Sequence, residues 1–338
     1  MPEDIHAAVH ARWDSLTKPP GSLGRLESLV ADYAAMRGEV MPAVPAKAIY
    51  IFCADHGVTA EGVSAWPSEV TAQMVRNFLR GGAAISVLGR ELDLDLVVVD
   101  AGVNADPIPG ALDRKVRRGT ANFATGPAMT RAEAELAIRH GRALAADSQA
   151  QLAGLGEMGI GNTTAASALA SVFTGLPPAE TVGSGAALPA SAHQHKCAIV
   201  ARALALHRPD AADPIRALAT VGGLEIAMMT GFVLGCAARR LPVMVDGFIT
   251  TAAVLAAVAL EPGARDFLFF SHCSAEKAHR AVLAHLDARP ILDLGLRLGE
   301  GSGAALAMGL LSQAIALYRG MATFAEAAVA EASVAEAK

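Results

Sequence analysis

Ala48-Ile49-Tyr50-Ile51-Phe52-Cys53-Ala54, followed at once by Asp55-His56-Gly57, is the stretch on which the fold turns. A short run of apolar, β-branched and aromatic residues, ended by an acid, an imidazole and a glycine, reads as a strand buried on both faces. The pattern recurs. Leu94 to Val99 ends at Asp100-Ala101-Gly102-Val103-Asn104, Pro242-Val243-Met244-Val245 at Asp246-Gly247, and Phe267-Leu268-Phe269-Phe270 at Ser271-His272. Helical stretches separate these runs, so the predicted fold is α/β, a parallel sheet covered by helices on both faces. Ligands of such sheets bind beyond the carboxyl ends of the strands, which makes the polar tips the expected wall of a site.

The ends of the chain read differently. Pro2 to Trp13 is predicted helical and is followed by the breaker Lys18-Pro19-Pro20-Gly21; Ser22 is then placed to cap a second helix with Leu23, Leu26, Leu29, Val30 and Tyr33 on one face. Ala304 to Met321 and Phe324 to Ala335 are Ala-rich helical stretches. With 338 residues, a second piece beside the sheet is expected. The predicted division is a small helical domain of residues 1–38 and 304–338 and a large α/β domain of residues 39–303.

Composition narrows the function. Hydrophobic residues make up 53% of the chain but aromatic ones only 4%, which implies close packing through small side chains. The net charge is −5, and the one basic cluster, Arg114-Lys115-Val116-Arg117-Arg118, lacks interleaved aromatics and is expected on a solvated surface; nucleic acid is not an expected partner. Cys53, Cys197, Cys236 and Cys273 are far apart and form no C-x-x-C pair, so reduced thiols in a cytoplasmic protein are expected. Met1-Pro2-Glu3-Asp4 is acidic and lacks an apolar core, so no secretory signal is expected. Met158 to Ala179 is free of charge but broken by glycines, Asn162 and prolines, so no membrane span is expected there.

Several loops are equipped for chemistry. Leu292-Asp293-Leu294-Gly295-Leu296-Arg297-Leu298-Gly299-Glu300-Gly301-Ser302-Gly303 sets one carboxylate among glycines, which permit positive φ and close approach of backbone to a ligand. Glu157-Met158-Gly159-Ile160-Gly161-Asn162-Thr163-Thr164 reads as a glycine-rich loop opening a helix, whose free amides and hydroxyls suit a phosphomonoester. It fits neither nucleotide fingerprint, so a nicotinamide-dependent dehydrogenase is disfavoured. Gly183-Ser184-Gly185 and Gly222-Gly223 are further loops for close approach, and Lys196 is either a phosphate partner or a solvated lysine. Ser271-His272 lacks a nucleophile elbow, and as neighbours the two are not expected to face each other. Asp55-His56 lacks metal-ligand spacing and is expected to orient a loop by hydrogen bonds. A helix from Ser68 to Leu79 carries Glu69 and Gln73 on one face, with Trp66 and Met74 as candidates to floor a pocket for a flat ring.

In chain order, Leu16-Thr17-Lys18-Pro19-Pro20-Gly21-Ser22-Leu23-Gly24, Ala54-Asp55-His56-Gly57-Val58, Glu69-Val70-Thr71-Ala72-Gln73-Met74, Gly159-Ile160-Gly161-Asn162-Thr163-Thr164, Val221-Gly222-Gly223-Leu224-Glu225, Val245-Asp246-Gly247-Phe248 and Leu298-Gly299-Glu300-Gly301 together resemble the nicotinate-nucleotide–dimethylbenzimidazole phosphoribosyltransferase family of cobalamin nucleotide-loop assembly. The resemblance implies a Rossmann-like sheet, a small helical domain built from both termini, a homodimer and no cofactor or metal. It also implies transfer of phosphoribose from nicotinate mononucleotide to 5,6-dimethylbenzimidazole. Glu300 then matches the catalytic base and Glu157 a second acid. Gln73, Gly159, Gly161, Asn162, Thr163, Lys196, Gly222, Gly223, Ser274 and Leu298 match ligand contacts. The chain departs from the family pattern between Gly183 and Lys196, where it carries His193 and His195, and at Cys273 and Ser302. A non-catalytic phosphate sensor is the competing reading; it would keep the glycine loops but would not need Glu300.

Overall fold

The computed structural model describes residues 4–183 and 190–330. These fall into two compact units, one of residues 1–45 with 309–338, the other of residues 46–308. The smaller unit holds α1 (Ile5–Ser15), α2 (Arg25–Arg37), the latter part of α13 (Ser302–Gly320) and α14 (Phe324–Ala327). Within it the two ends of the chain pack on each other. The Trp13 and Tyr318 rings lie 5.0 Å apart, Leu16 bridges Thr323, and the Tyr318 hydroxyl donates to the Val40 carbonyl at 2.9 Å.

Two sequence expectations change here. Ser22 is not a helix cap: the chain turns through Gly24 at φ +55°, and α2 begins at Arg25. The stretch from Phe324 is helical only to Ala327, because Ala328 turns left-handed at φ +52°; residues 331–335 of that expected helix lie outside the described residues.

In the larger unit the strands are β1 (Lys47–Ala54), β2 (Asp95–Gly102), β3 (Leu112–Asp113), β4 (Leu152–Met158), β5 (Val243–Val245) and β6 (Leu268–Phe270). They form one six-stranded sheet in the order β3-β2-β1-β4-β5-β6, with every pairing parallel. The helices are α3 (Glu69–Arg80), α4 (Ala84–Glu91), α5 (Arg131–Asp147), α6 (Asn162–Thr174), α7 (Pro178–Thr181), α8 (Ala190–His207), α9 (Pro214–Val221), α10 (Leu224–Ala238), α11 (Phe248–Leu260), α12 (His279–His285) and the first turns of α13. Alternation along β1 sends Tyr50 and Phe52 to one face, where their rings meet Phe232 of α10 at 4.5 and 5.5 Å; Ile49 and Ile51 are fully buried on the other. Small residues let α5 and α10 touch: a Cβ at Gly141 would lie 2.0 Å from the Met228 carbonyl.

β4 departs from the sequence reading, which places Glu157 and Met158 in a loop. Its sequence, LAGLGEM, has no β-branched residue and two glycines, so propensity argues against a strand. The glycines are there because neighbours press on them: a Cβ at Gly154 would stand 2.9 Å from the Met308 methyl, and one at Gly156 2.7 Å from the Glu300 carbonyl oxygen. Glu157 and Met158 therefore end a central strand, and only residues 159–161 are loop. The basic cluster is also less solvated than expected, since Lys115 pairs with Asp100 at 3.1 Å and donates to the Val103 and Ala105 carbonyls.

Candidate active site

The strand order reverses direction between β1 and β4, and in open parallel sheets the crevice beyond that point is where ligands bind. Buried acids and imidazoles crowd its rim. Asp55 and His56 follow β1, Glu157 closes β4, Asp246 follows β5, and Ser271 and His272 follow β6; all are buried.

Glu157 accepts from Asn162 Nδ2 at 2.5 Å through Oε2. Burial, with the Asp246 charge next, pushes its carboxyl up to about 8; the Asn162 bond opposes the shift. Glu300 sits in the middle of three consecutive left-handed residues, with φ of +80°, +63° and +88° at Gly299, Glu300 and Gly301. For glutamate that conformation costs on the order of 1 kcal/mol, and strain of this kind collects at functional sites. Glycine is favoured at 299 by its positive φ and because a Cβ would stand 2.3 Å from Glu157 Oε1, forcing that side chain to shift. The Glu300 side chain is buried and accepts from the Ile85 amide at the start of α4, while its Oε2 has no hydrogen-bond partner. Burial raises its pKa and the Ile85 amide opposes this.

Asp246 clamps the same loop. Its Oδ2 accepts from the Gly301 amide at 3.2 Å and its Oδ1 from the Ala304 amide at 2.9 Å, which ties β5 to the start of α13. Burial pushes Asp246 up to about 7 against the pull of those amides. Beside it, Ser271 Oγ donates to the Asp246 carbonyl at 2.9 Å, so the 3.0 Å contact with His272 Nδ1 is one in which the imidazole donates. The expectation that these neighbours do not face each other is thus corrected, but the serine proton is committed elsewhere and the pair is no nucleophile. His279 Nδ1 accepts from the Ser274 amide at 2.8 Å, which leaves Nε2 to donate to Thr251 Oγ1 at 3.0 Å. Burial pushes His272 down to about 4 and His279 to about 3.

On the other side of Glu157, Gly161 (φ +96°) starts α6, and Thr163 Oγ1 in its first turn accepts from Lys196 Nζ at 2.8 Å. Lys196 is fully buried, not solvated; burial pushes its ammonium down to about 8 while Glu276 opposes. A buried cation, a hydroxyl and a helix N-terminus converge there, an arrangement suited to an anion.

A family model described as phosphoribosyltransferase matches residues 1–329. The nicotinate-nucleotide–dimethylbenzimidazole phosphoribosyltransferase of Geobacter metallireducens is 53% identical over 330 residues, 96% of this chain and 94% of that one. This chain belongs to that family. A Pseudomonas aeruginosa protein of the same name is 52% identical over 95% of this chain and 93% of its own length. The solved structure of the Thermus thermophilus protein titled with that name superposes with a TM-score of 0.91 at 47% identity, covering 98% of this chain and all of the other.

Of the residues that resemblance to the family singled out, the fold brings Glu157, Gly159, Gly161, Asn162, Thr163 and Lys196 together. Glu300 lies near enough to Glu157 for its charge to raise the latter's pKa. Gly222 and Gly223 lead into α10, and Ser274 belongs to the His279 network. Gln73 is exposed on α3, and Leu298 is 58% exposed on the segment before Glu300; neither is gathered into the cluster of acids. Trp66 is 56% exposed. Ser184 and Gly185 lie outside the described residues. In the sequence Asp246 and Glu225 stand out only as members of the family-like blocks Val245–Phe248 and Val221–Glu225, with no role of their own. Asp246 is marked further by its place before glycine at a strand end; the pairing of Glu225 with His56 has no local signal, since the two are 169 residues apart.

Proposed function

We propose that this chain transfers phosphoribose from nicotinate mononucleotide to 5,6-dimethylbenzimidazole, releasing nicotinate and giving α-ribazole 5′-phosphate, with Glu300 as general base. The observation that carries the reading is a buried glutamate with an unpartnered oxygen, held by left-handed backbone at the rim of the switch point. One benzimidazole nitrogen attacks the ribose carbon with its lone pair. The bond to nicotinate breaks, its electrons leaving with the pyridine nitrogen, and the proton on the other azole nitrogen passes to Glu300. Attack opposite the leaving group converts a β-linked nucleotide into an α-linked one. A desolvated carboxylate with a raised pKa suits that proton transfer near neutrality, worth about 10²–10⁴-fold.

Glu157 has a complementary task. Alone it retains its proton near neutral pH; the positively charged pyridinium ring of the substrate favours the carboxylate, which then stabilises positive charge developing on the ribose. Lys196, Thr163 and the first amides of α6 hold the phosphate, and Gly222, Gly223, Ser274, Gln73 and Leu298 complete the substrate contacts. The proposal extends to a cytoplasmic homodimer in which the helical and α/β pieces act as separate domains.

The test is to incubate the purified protein with nicotinate mononucleotide and follow nicotinate with and without the azole. Release that depends on the azole supports the transferase. Binding of the mononucleotide without release favours the sensor.

A further inference from the structure

His56 and Glu225 form a contact that the reaction just described does not use. Nε2 and Oε1 are 2.6 Å apart, and both side chains are wholly buried. Each also leaves an atom unanswered, Nδ1 on the imidazole and Oε2 on the carboxylate. A pair with two buried, unpartnered polar atoms is a poor means of stabilising a fold, since apolar side chains of like volume commonly do as well or better. What surrounds the ring suggests another purpose. A Cβ at Gly159 would lie 3.3 Å from His56 Cδ2, one at Gly161 3.2 Å from His56 Cβ, and one at Gly223 2.4 Å from His56 Cε1. The His56 side chain thus packs against three glycines on two separate loops, its ring against Gly159 and Gly223 and its Cβ against Gly161. Glu225, in the first turn of α10, fixes its angle, and the same Glu225 charge bears on Glu157.

We infer that His56, anchored by Glu225, is a positioning residue that sets the backbone of loop 159–161 against the loop at Gly222 and Gly223. The inference rests on the phosphate-binding reading of that loop given above. In this role the ring acts through the glycine backbone, which an untethered side chain would let drift. Its loss is therefore expected in the affinity for the nucleotide rather than for the azole, and a misplacement below 1 Å is enough to be felt.

The experiment compares His56→Leu, His56→Gln and Glu225→Gln in steady-state nicotinate release, each first checked by circular dichroism. In folded His56→Leu, KM for nicotinate mononucleotide rises about tenfold while KM for the azole and kcat stay within about threefold. His56→Gln, whose amide can still donate to Glu225, restores most of the loss. A merely structural role would instead lower kcat through loss of active protein and leave both KM values alone. Should His56→Leu not fold, Glu225→Gln carries the test, with an expected rise of about threefold in the same KM. An unchanged nucleotide KM in the folded variant overturns the inference. A wild-type protein that releases no nicotinate overturns the reading of the site itself, whereas an active wild type beside unaffected variants overturns only the role of His56.

Discussion

Two regions bury charge, and they do so in opposite ways. In the smaller unit Lys18 and Glu27 meet at 2.8 Å with side chains 6% and 7% exposed; Glu27 also accepts from the Leu23 amide, and Lys18 lies 5.5 Å from the Trp13 ring centre. Charge there is answered by opposite charge and an aromatic face. In the larger unit Asp55, Glu157 and Asp246 at the strand tips, and Glu300 beside them, are all buried, and several raise one another's pKa. A paired arrangement holds a unit together. An assembly of acids that repel one another lowers stability and is retained where protons and cations have to be managed.

The sharpest way to break the contrast is Glu300→Gln. It should cost about 10²–10⁴-fold in kcat with the circular dichroism and calorimetric binding of nicotinate mononucleotide unchanged. Full turnover would remove the proposed base. In the paired region, Lys18→Met strands Glu27 in the interior and should lower unfolding free energy by about 3–5 kcal/mol in urea titration; a neutral result would mean the pair contributes little. Next comes Gly299→Ala, where positive φ and the Glu157 oxygen 2.3 Å from the new methyl both oppose the substitution. Unfolding free energy should fall by about 1–3 kcal/mol, read as a lower thermal midpoint, with a matching fall in kcat.

The smallest effect is a gain. Glu157 binds its proton more tightly folded than unfolded, so the stability it contributes is fully present below its ordinary pKa of 4.5 and is lost as pH rises toward about 8. Asp246 adds the same sign between 3.8 and about 7. Glu157→Gln cannot ionise and should be more stable than wild type at pH 8, the gain shrinking as pH falls toward 4.5. Equal stability at both pH values would mean that the acid is already paired as well as Lys18 and Glu27 are.

The four runs with β-branched or aromatic apolar residues announced their strands, because a two-sided burial demand writes itself directly into composition. β4 escaped, since its glycines answer to Met308 against Gly154 and the Glu300 loop against Gly156 rather than to strand propensity. Glu300 and Glu157 were legible from glycine-rich surroundings. Asp246 showed its importance only through amides at positions 301 and 304, and the His56–Glu225 contact only through the closure of β1 against α10. Contacts across such separations leave no local periodicity to read.

The left-handed triplet at 299–301 also bears on how the chain acquires activity. Nothing in its own sequence favours that bend at glutamate, so it is imposed by the bare strand at Gly156 and the amides tethered to Asp246. A bend held by contacts outside its own sequence lasts only as long as they do: loss of activity ahead of the bulk spectroscopic transition in mild denaturant, reversed on dilution, is the expected outcome.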